Sequence, residues 1–198
     1  MIWYIADLYL ARTAIIGHCG RPFATSGHMD DALVANLAGR VASDDDLYVV
    51  GDFALGGGSG HDYVLRRFDE IPSRKHLVVG NHDASWMREI PWESVSDVVE
   101  VKDGGQRVFL CHYPMITWPG ARRGALHLFG HVHGNWQGSR NAVNVGVDVW
   151  DFQPVTLRDA QRRAGRLPID KHWEEVEPRA ESSTRWTRRS SAPRSARS

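Results

Sequence analysis

Short apolar runs alternate along the chain with stretches of helical periodicity. The runs are four or five residues long, are rich in aliphatic and aromatic side chains, and end beside glycine or polar residues. They cover residues 2–6, 47–50, 76–79, 107–111 and 126–129. Runs of this length and composition are typical of buried strands, so the sequence predicts a strand at each of them.

Two of the intervening stretches have the spacing of an amphipathic helix. Residues 29–42 place an apolar side chain at every fourth position from Leu33 to Val41, and Asp30 stands near the predicted helix start, where the helix dipole favours it. Residues 63–71 have a second apolar face. Strands that alternate with helices predict an α/β fold, and ligands of open α/β sheets bind at the carboxyl ends of the strands.

The second half of the chain predicts further strands. Residues 96–102 and 106–111 form a plausible strand pair around Asp103-Gly104-Gly105, because Asp-Gly and Gly-Gly are frequent in hairpin turns. Residues 142–149 are predicted as a late strand, followed by a turn at 151–154.

The pattern fades after about residue 160, and the charge changes sign there. Residues 1–160 contain 14 basic and 19 acidic side chains, whereas residues 161–198 contain 10 basic and 5 acidic ones. The later segment is rich in Ser and Arg and has few aliphatic residues, so it cannot bury enough apolar surface to offset the entropy of ordering. We expect a domain at 1–160 and a disordered basic tail at 161–198, which is either a solvated terminus or a weak contact for polyanions.

Composition excludes several classes of protein. The 198 residues are 42% apolar and carry 24 basic and 24 acidic side chains, a balance that argues against a dedicated nucleic-acid binder. Two cysteines are too few for a disulfide framework, which favours free thiols and a cytoplasmic location. The first residues have no basic segment typical of a signal peptide, and no run is long enough to span a membrane.

Residues with metal-binding chemistry follow the predicted strands. They are three carboxylates, an amide and four imidazoles, residue types that suit divalent Mn, Fe, Zn or Co. The absence of cysteine among them disfavours a structural zinc site. The set comprises Asp7, Asp52, Asn81, His82, Asp83, His112, His131 and His133. In a strand, the spacing of His131 and His133 would place both rings on one face, and in a loop the two rings can still converge on one site.

The order and spacing of four motifs resemble those of the calcineurin-like metallophosphoesterases, over residues 1 to about 157. The motifs are Gly51-Asp52, Gly80-Asn81-His82-Asp83, His112 and Gly130-His131-Val132-His133. The resemblance implies two mixed β-sheets packed face to face with flanking helices, as a four-layer sandwich. It also implies a centre of two divalent metal ions at the strand ends.

The resemblance also implies a role for each matched residue. Asp7, Asp52 and His133 would bind the first metal, and the second would take Asp52, Asn81, His112 and His131. His82 would contact the substrate and stabilise charge or protonate the leaving oxygen, while Asp83 would orient His82. The implied reaction is hydrolysis of a phosphate monoester or diester by metal-activated water.

The first motif departs from the family pattern. The family has Asp-x-His where this chain has Asp7-Leu8-Tyr9, so a tyrosine stands in place of a histidine ligand. Three interpretations remain open: Tyr9 ligates as a phenolate that favours Fe(III), the first site binds metal weakly, or hydrolysis is lost. Arg12 offers a bidentate phosphate contact or is a surface charge, and His18 is a less favoured substitute ligand.

The function that follows is metal-dependent phosphoester hydrolysis, with an open cleft. A phosphorylated small molecule, a nucleotide or a nucleic-acid end would be the substrate, and no membrane is expected as a partner. The alternative is a catalytically impaired, phosphoesterase-like binding module. The residue that separates the two hypotheses is Tyr9.

Overall fold

A computed structural model of the chain describes residues 1–55 and 60–176. The strands are β1 Ile2–Ile5, β2 Asp46–Val50, β3 Arg74–Val78, β4 Ser94–Ser96, β5 Val98–Asp103, β6 Gln106–Cys111, β7 Leu126–Phe129, β8 Ala142–Asn144 and β9 Val155–Thr156. The α-helices are α1 Ala14–Cys19, α2 Ser26–Ala38, α3 His61–Asp69, α4 Leu157–Ala164 and α5 Lys171–Val176.

The strands form two mixed sheets. The first has the order β4-β3-β2-β1-β9, with β9 antiparallel to β1 and the other pairs parallel. The second has the order β5-β6-β7-β8, in which only the β5–β6 pair is antiparallel. The carboxyl ends of β1, β2 and β3 therefore lie at one edge of the first sheet, and those of β6 and β7 at one edge of the second.

Apolar side chains fill the space between and outside the sheets. Tyr4, Val50 and Val78 of the first sheet share a buried cluster with Leu110 and Leu128 of the second, so the sheets pack face to face. The other face of the first sheet is buried with residues of α1, α2 and α3. Short 3₁₀ turns and the side chain of Trp173 cover the outer face of the second sheet. This arrangement confirms the α/β class and the two mixed sheets with flanking helices.

The predicted strands and the hairpin at Asp103-Gly104-Gly105 are confirmed, but the late strand is shorter than predicted. It ends at Asn144 and is followed by a 3₁₀ turn at Val147–Val149. The chain leaves the second sheet at this point, because the Ala6 N–H bonds to the Val145 carbonyl and the Val147 N–H bonds to the Ala6 carbonyl. The predicted strand thus becomes a bridge between the two sheets.

Helix α2 begins at Ser26, three residues before the predicted start. The Thr25 side chain accepts a hydrogen bond from the His28 N–H and caps the helix. Asp30 consequently lies in the second turn, where it is buried and accepts hydrogen bonds from the Ala11 N–H and the Tyr63 hydroxyl. Its carboxylate fastens the loop at Ala11 and helix α3 to helix α2, and it does not serve the helix dipole.

The structure continues past the predicted boundary at residue 160. Helix α4 crosses that boundary, begins with a capping box between Thr156 and Asp159, and buries Ala164. Residues 161–176 therefore contain helix, and the rest of the predicted tail, 177–198, lies outside the described residues. No helix in the described ranges is long and apolar enough to cross a membrane. Cys19 and Cys111 are free thiols, and the cytoplasmic location stays a prediction.

Candidate metal centre

The carboxyl ends of five strands deliver the expected polar side chains to one edge of the two sheets. Asp7, Asp52 and Asn81 follow β1, β2 and β3, while His112 and His131 follow β6 and β7. Backbone hydrogen bonds fasten these strand ends together, with the Asp7 N–H on the Gly51 carbonyl and the Gly130 N–H on the His112 carbonyl. The parallel topology thereby gathers residues that are far apart in the sequence.

Several of these residues have left-handed backbone conformations. The φ angles are 59° at Asp7, 56° at Tyr9, 56° at Asp52, 70° at His131 and 49° at His133. Such angles cost non-glycine residues about 1–3 kcal/mol each and persist only where the surrounding structure enforces them. Five strained residues at one sheet edge indicate a functional site, because strain of this kind lowers stability and is found mainly at such sites.

We refer to Asn81, His112 and His131 together as the His112 half of the site. His112 is fully buried, and its Nδ1 lies 3.0 Å from the Val50 carbonyl. Because a carbonyl oxygen can only accept, Nδ1 carries a proton, and Nε2 is the nitrogen directed into the site. A backbone carbonyl behind a histidine commonly fixes the ring orientation of metal ligands in this way.

The three side chains of the His112 half converge on one point. The Asn81 Oδ1 lies 3.1 Å from His112 Nε2 and 3.0 Å from His131 Nδ1. His112 Nε2 is also 3.2 Å from Asp52 Oδ2. The close approach depends on Gly51, where φ is +88° and a Cβ atom would lie 2.2 Å from the His112 ring.

Asp7 has a buried oxygen with no partner. Its Oδ1 accepts a hydrogen bond from the His131 N–H at 3.0 Å, whereas Oδ2 has no hydrogen-bond partner among the residues that the structure describes. Burial raises the pKa of the Asp7 carboxyl to about 6, against the lowering influence of His112 and His133. A Cβ atom at Gly146 would lie 2.5 Å from Oδ2, so the space for this carboxylate exists only beside glycine.

Asp52 is held by three donors. Its Oδ1 accepts a hydrogen bond from the His82 N–H at 2.9 Å. Its Oδ2 accepts one from the Tyr9 hydroxyl at 2.7 Å and lies 3.2 Å from His112 Nε2. Burial alone would raise the pKa of Asp52, but the hydrogen bonds from His112 and Tyr9 outweigh it and the pKa lies below its usual value. Asp52 is therefore a carboxylate at neutral pH.

We refer to Tyr9, Arg21, His133 and Asp148 together as the Tyr9 half. The Tyr9 phenol is a proton donor in this structure, and burial raises the pKa of the phenol above its usual value. Its ring centroid is 5.4 Å from those of His82 and His133. Tyr9 thus lies between the two histidines and holds Asp52 by its hydroxyl.

Asp148 and Arg21 position His133, a role that the sequence motifs do not show. The His133 Nδ1 lies 2.8 Å from Asp148 Oδ2. Burial lowers the pKa of His133, but the contact with Asp148 outweighs burial and the pKa lies above its usual value. The Arg21 guanidinium forms bidentate contacts of 2.8 and 2.9 Å with the same carboxylate, and Nη2 also donates to the Asp7 carbonyl. The signal that could have revealed Asp148 is its isolation in an apolar run, since a buried charge there needs a partner.

A second cluster, Cys19 with His133 and Asp148, also brings three ligand atoms within 4.8 Å. Both Asp148 oxygens are already bound by the Arg21 guanidinium, and the His133 Nδ1 is engaged on the same carboxylate. A cation placed there would lie beside a permanent positive charge, so we do not regard this cluster as a metal site.

Asp83 differs from expectation in its contacts, and the His131/His133 pair follows the loop alternative and not the strand one. The Asp83 carboxylate, expected to orient His82, accepts hydrogen bonds from the backbone N–H groups of Gly80, Asp52 and Phe53 instead. It therefore fixes the loops that carry the site. His131 and His133 lie beyond the end of β7, so the strand geometry does not apply, and the rings face Asn81 and Asp148 respectively.

The donor set fits a divalent metal ion. Ligand atoms of Asp7, Asp52 and His112 lie within 4.8 Å of one another, and all three residues are buried. The unpartnered Asp7 oxygen would be costly to bury without a cation. Carboxylate oxygen and imidazole nitrogen are ligands of Mn, Fe, Zn and related ions.

Comparison with known proteins supports the fold. No protein-family model matches the chain. The Gene 66 protein of Mycobacterium phage L5 is 25% identical to this chain, and the alignment covers 75% of this chain and 86% of that protein. The Gene 66 protein of Mycobacterium phage D29 is also 25% identical, over 78% of this chain and 92% of that protein.

Among solved structures, the chain is similar to AQ665 from Aquifex aeolicus, a protein of unknown function. The TM-score is 0.68 at 24% identity, over 82% of this chain and 98% of AQ665. It is also similar to Yfce, a phosphoesterase from E. coli, with a TM-score of 0.49 and 16% identity over 73% of this chain and 77% of that one. The two-sheet α/β architecture is therefore shared with AQ665 over nearly its full length.

Proposed function

We propose that this protein is a metal-dependent hydrolase of phosphate esters, of the calcineurin-like metallophosphoesterase type. The observation that carries the proposal is the convergence of Asp7, Asp52 and His112 at the sheet edge, with a buried Asp7 oxygen that lacks a partner. The five left-handed residues at the same edge support it, because strain of this kind concentrates at functional sites.

The ligands form two sets, one around the His112 half and one around His133 of the Tyr9 half. Asp52, Asn81, His112 and His131 would hold one divalent ion, and Asp7, Asp52 and His133 would hold the other. The first group is supported by the shared contacts around Asn81 Oδ1 and His112 Nε2. The second is weaker in ligands, because Tyr9 uses its hydroxyl as a hydrogen-bond donor to Asp52.

The residues of the chain have separate tasks in the reaction. Bound divalent ions at such a centre supply an activated water nucleophile and neutralise charge on the phosphoryl oxygens. His82 has an exposed ring beside Tyr9, and its backbone is fixed on Asp52, so it can give a proton to the leaving oxygen. Asp83 keeps the backbone of Gly80, Asp52 and Phe53 in place during turnover.

The substrate would be a phosphate monoester or diester of small size, with nucleotides and nucleic-acid ends as the natural candidates. Manganese is the metal that we propose for first trials, since a mixed oxygen and nitrogen donor set accepts it readily. We further propose a cytoplasmic location and only weak contact of the basic C-terminal segment with polyanions.

The test is metal quantification by elemental analysis on the wild type and on Tyr9→His, followed by assays with Mn²⁺. Bis(p-nitrophenyl) phosphate and p-nitrophenyl phosphate serve as diester and monoester. We expect at least one ion per chain in the wild type, and in Tyr9→His a second ion and a rise in activity of about tenfold, the scale of a change at a metal ligand shell. Tyr9→Phe is the matched control, because it removes the hydroxyl without adding a ligand.

Two results would contradict the proposal. Absence of bound metal in both the wild type and Tyr9→His would remove its physical basis. Metal binding without turnover in both proteins would favour the alternative, a catalytically impaired binding module.

A further inference from the structure

A cavity of about 520 Å³ opens on the Tyr9 half of the site. Tyr9, His82 and His133 of the candidate site line it, and Arg12, His18 and Asn135 are among its other lining residues. Small-molecule sites usually enclose about 300–1,000 Å³, so this cavity has room for more than a single phosphoryl group.

The lining is suited to an anion. It includes a guanidinium, three imidazoles, an amide and a phenol, and no carboxylate is among the described residues that line it. Of the carboxylates that interact electrostatically with its lining, Asp148 is bound by Arg21, and Asp7 and Asp52 are the ones that bound metal ions would neutralise. The cavity therefore has positive character without an internal counter-charge.

Arg12 is the permanent cation of this cavity. Its backbone N–H bonds to the Tyr9 carbonyl at 3.1 Å, which fixes it one turn beyond Tyr9. Within residues 1–55 and 60–176, no carboxylate forms an ion pair with its guanidinium. The side chain is half-buried, so it is partly desolvated and available to a ligand. The planar fork of a guanidinium matches two phosphate oxygens at once.

We propose that this cavity binds a second phosphate of the substrate, with Arg12 as its principal partner. The inference rests on the proposed function, which places the scissile phosphate at the metal centre. The substrate class is then a phosphate ester that carries a further phosphate, such as a nucleoside bisphosphate or a 5′-phosphorylated strand end. Phosphate is favoured as the ligand because the several donors around the cavity match its many acceptor oxygens.

The test compares adenosine 3′,5′-bisphosphate with adenosine 5′-monophosphate by calorimetry on Mn²⁺-loaded protein, so that the metal centre holds one phosphate of either nucleotide; the titrations are run at low temperature and the nucleotides are checked for hydrolysis afterwards. We expect the bisphosphate to bind the wild type at least about tenfold more tightly, the scale of one charge-assisted bidentate contact. Arg12→Ala should lose that preference while it keeps the affinity for the monophosphate. Arg12→Lys, which keeps the charge without the fork, should fall between them.

Arg40→Ala is the control, because Arg40 is exposed and lies at the opposite end of β2. It should keep the full preference. Equal affinity of the wild type for both nucleotides, no detectable binding of the bisphosphate at millimolar concentration, or an Arg12→Ala variant that keeps the preference would each overturn the proposal. An equal loss for both nucleotides in Arg12→Ala would do so too, since it would place Arg12 at the scissile phosphate.

Assays with Mn²⁺ separate this inference from the proposed function. If neither nucleotide is hydrolysed while the calorimetric preference persists, the phosphoesterase proposal fails and the anion site stands. If both are hydrolysed with equal kcat/KM and equal affinity, the function stands and the role of Arg12 fails.

Discussion

The two halves of the site differ in how their buried polar groups are paired. In the His112 half, Asn81 Oδ1 and His112 Nε2 crowd toward one point beside Asp52, and a backbone carbonyl holds the ring from behind. In the Tyr9 half, internal partners already satisfy the polar groups: Arg21 neutralises Asp148, and the Tyr9 hydroxyl donates to Asp52.

The difference teaches that similar residue types at one sheet edge need not be equally ready for a cation. In the His112 half, the ring nitrogens of His112 and His131 lie 3.1 and 3.0 Å from Asn81 Oδ1, so one cation placed there would be a partner for all three. A site whose carboxylate already has a guanidinium gains less, because the added cation repels the existing one. We therefore expect metal binding to be dominated by the His112 half.

The strongest test of this contrast is His112→Ala. The substitution removes the nitrogen that faces both Asp52 and Asn81, so we expect metal content to fall to background and Mn²⁺-dependent activity to fall by about 100-fold or more. Elemental analysis and the diester assay check this. His28→Ala, at an exposed histidine of α2, is the control and should retain both properties. Retention of the full metal content in His112→Ala would mean that the two halves do not differ as described.

The internal pairing in the Tyr9 half predicts a large loss of stability in Arg21→Met. The variant leaves the buried Asp148 carboxylate without its bidentate partner, and such losses cost about 3–5 kcal/mol of unfolding free energy. Urea unfolding of the metal-free protein measures it. The double variant Arg21→Met with Asp148→Leu should recover much of the loss, because no uncompensated charge remains. An Arg21→Met variant as stable as the wild type would show that the pair contributes little.

The pH dependence of stability reports on His127, a buried histidine that is not among the candidate site residues. Burial lowers the pKa of His127 from 6.5 to about 4, in spite of carbonyl groups of Phe109 and Tyr113 that face its ring. Between these values the unfolded chain binds the proton and the folded chain does not. Stability should therefore fall as the pH drops from about 7 to 4, by up to about 3 kcal/mol from this group.

Urea unfolding at several pH values measures this effect, with His127→Gln as the comparison. The variant lacks the titrating ring and should show a flatter decline of unfolding free energy between pH 7 and 4. Parallel curves for the two proteins would show that His127 is not the group responsible.

The smallest effect expected is that of Tyr9→Phe. It removes one hydrogen bond to Asp52 while the ring contacts with His82 and His133 remain, so we expect a loss of about 1 kcal/mol in metal-free stability. Metal content should stay the same or rise slightly, because Asp52 loses a competing donor. A fall in metal content would instead identify the hydroxyl as a ligand and revive the phenolate interpretation.

Much of the architecture could be predicted from local patterns. The apolar runs at β1, β2, β3, β6 and β7 and the hairpin between β5 and β6 follow from burial and turn chemistry. The short strands β4 and β9 were not predicted, because two or three residues carry too little periodicity. The late strand was overextended since its apolar residues serve both sheets in turn.

The sequence by itself determined the residue types of the site, from Asp7 to His133, and their positions after strands. A short apolar run and the polar residues that follow it are visible locally, whatever the order of the strands in the sheets. Which of them meet was decided only by the tertiary structure. Parallel pairing brings Asp7, Asp52 and Asn81 to one edge, and packing of the second sheet adds His112. The partnership of Arg21 with Asp148, 127 positions apart, is likewise a product of packing, since no local pattern encodes a contact over such a separation.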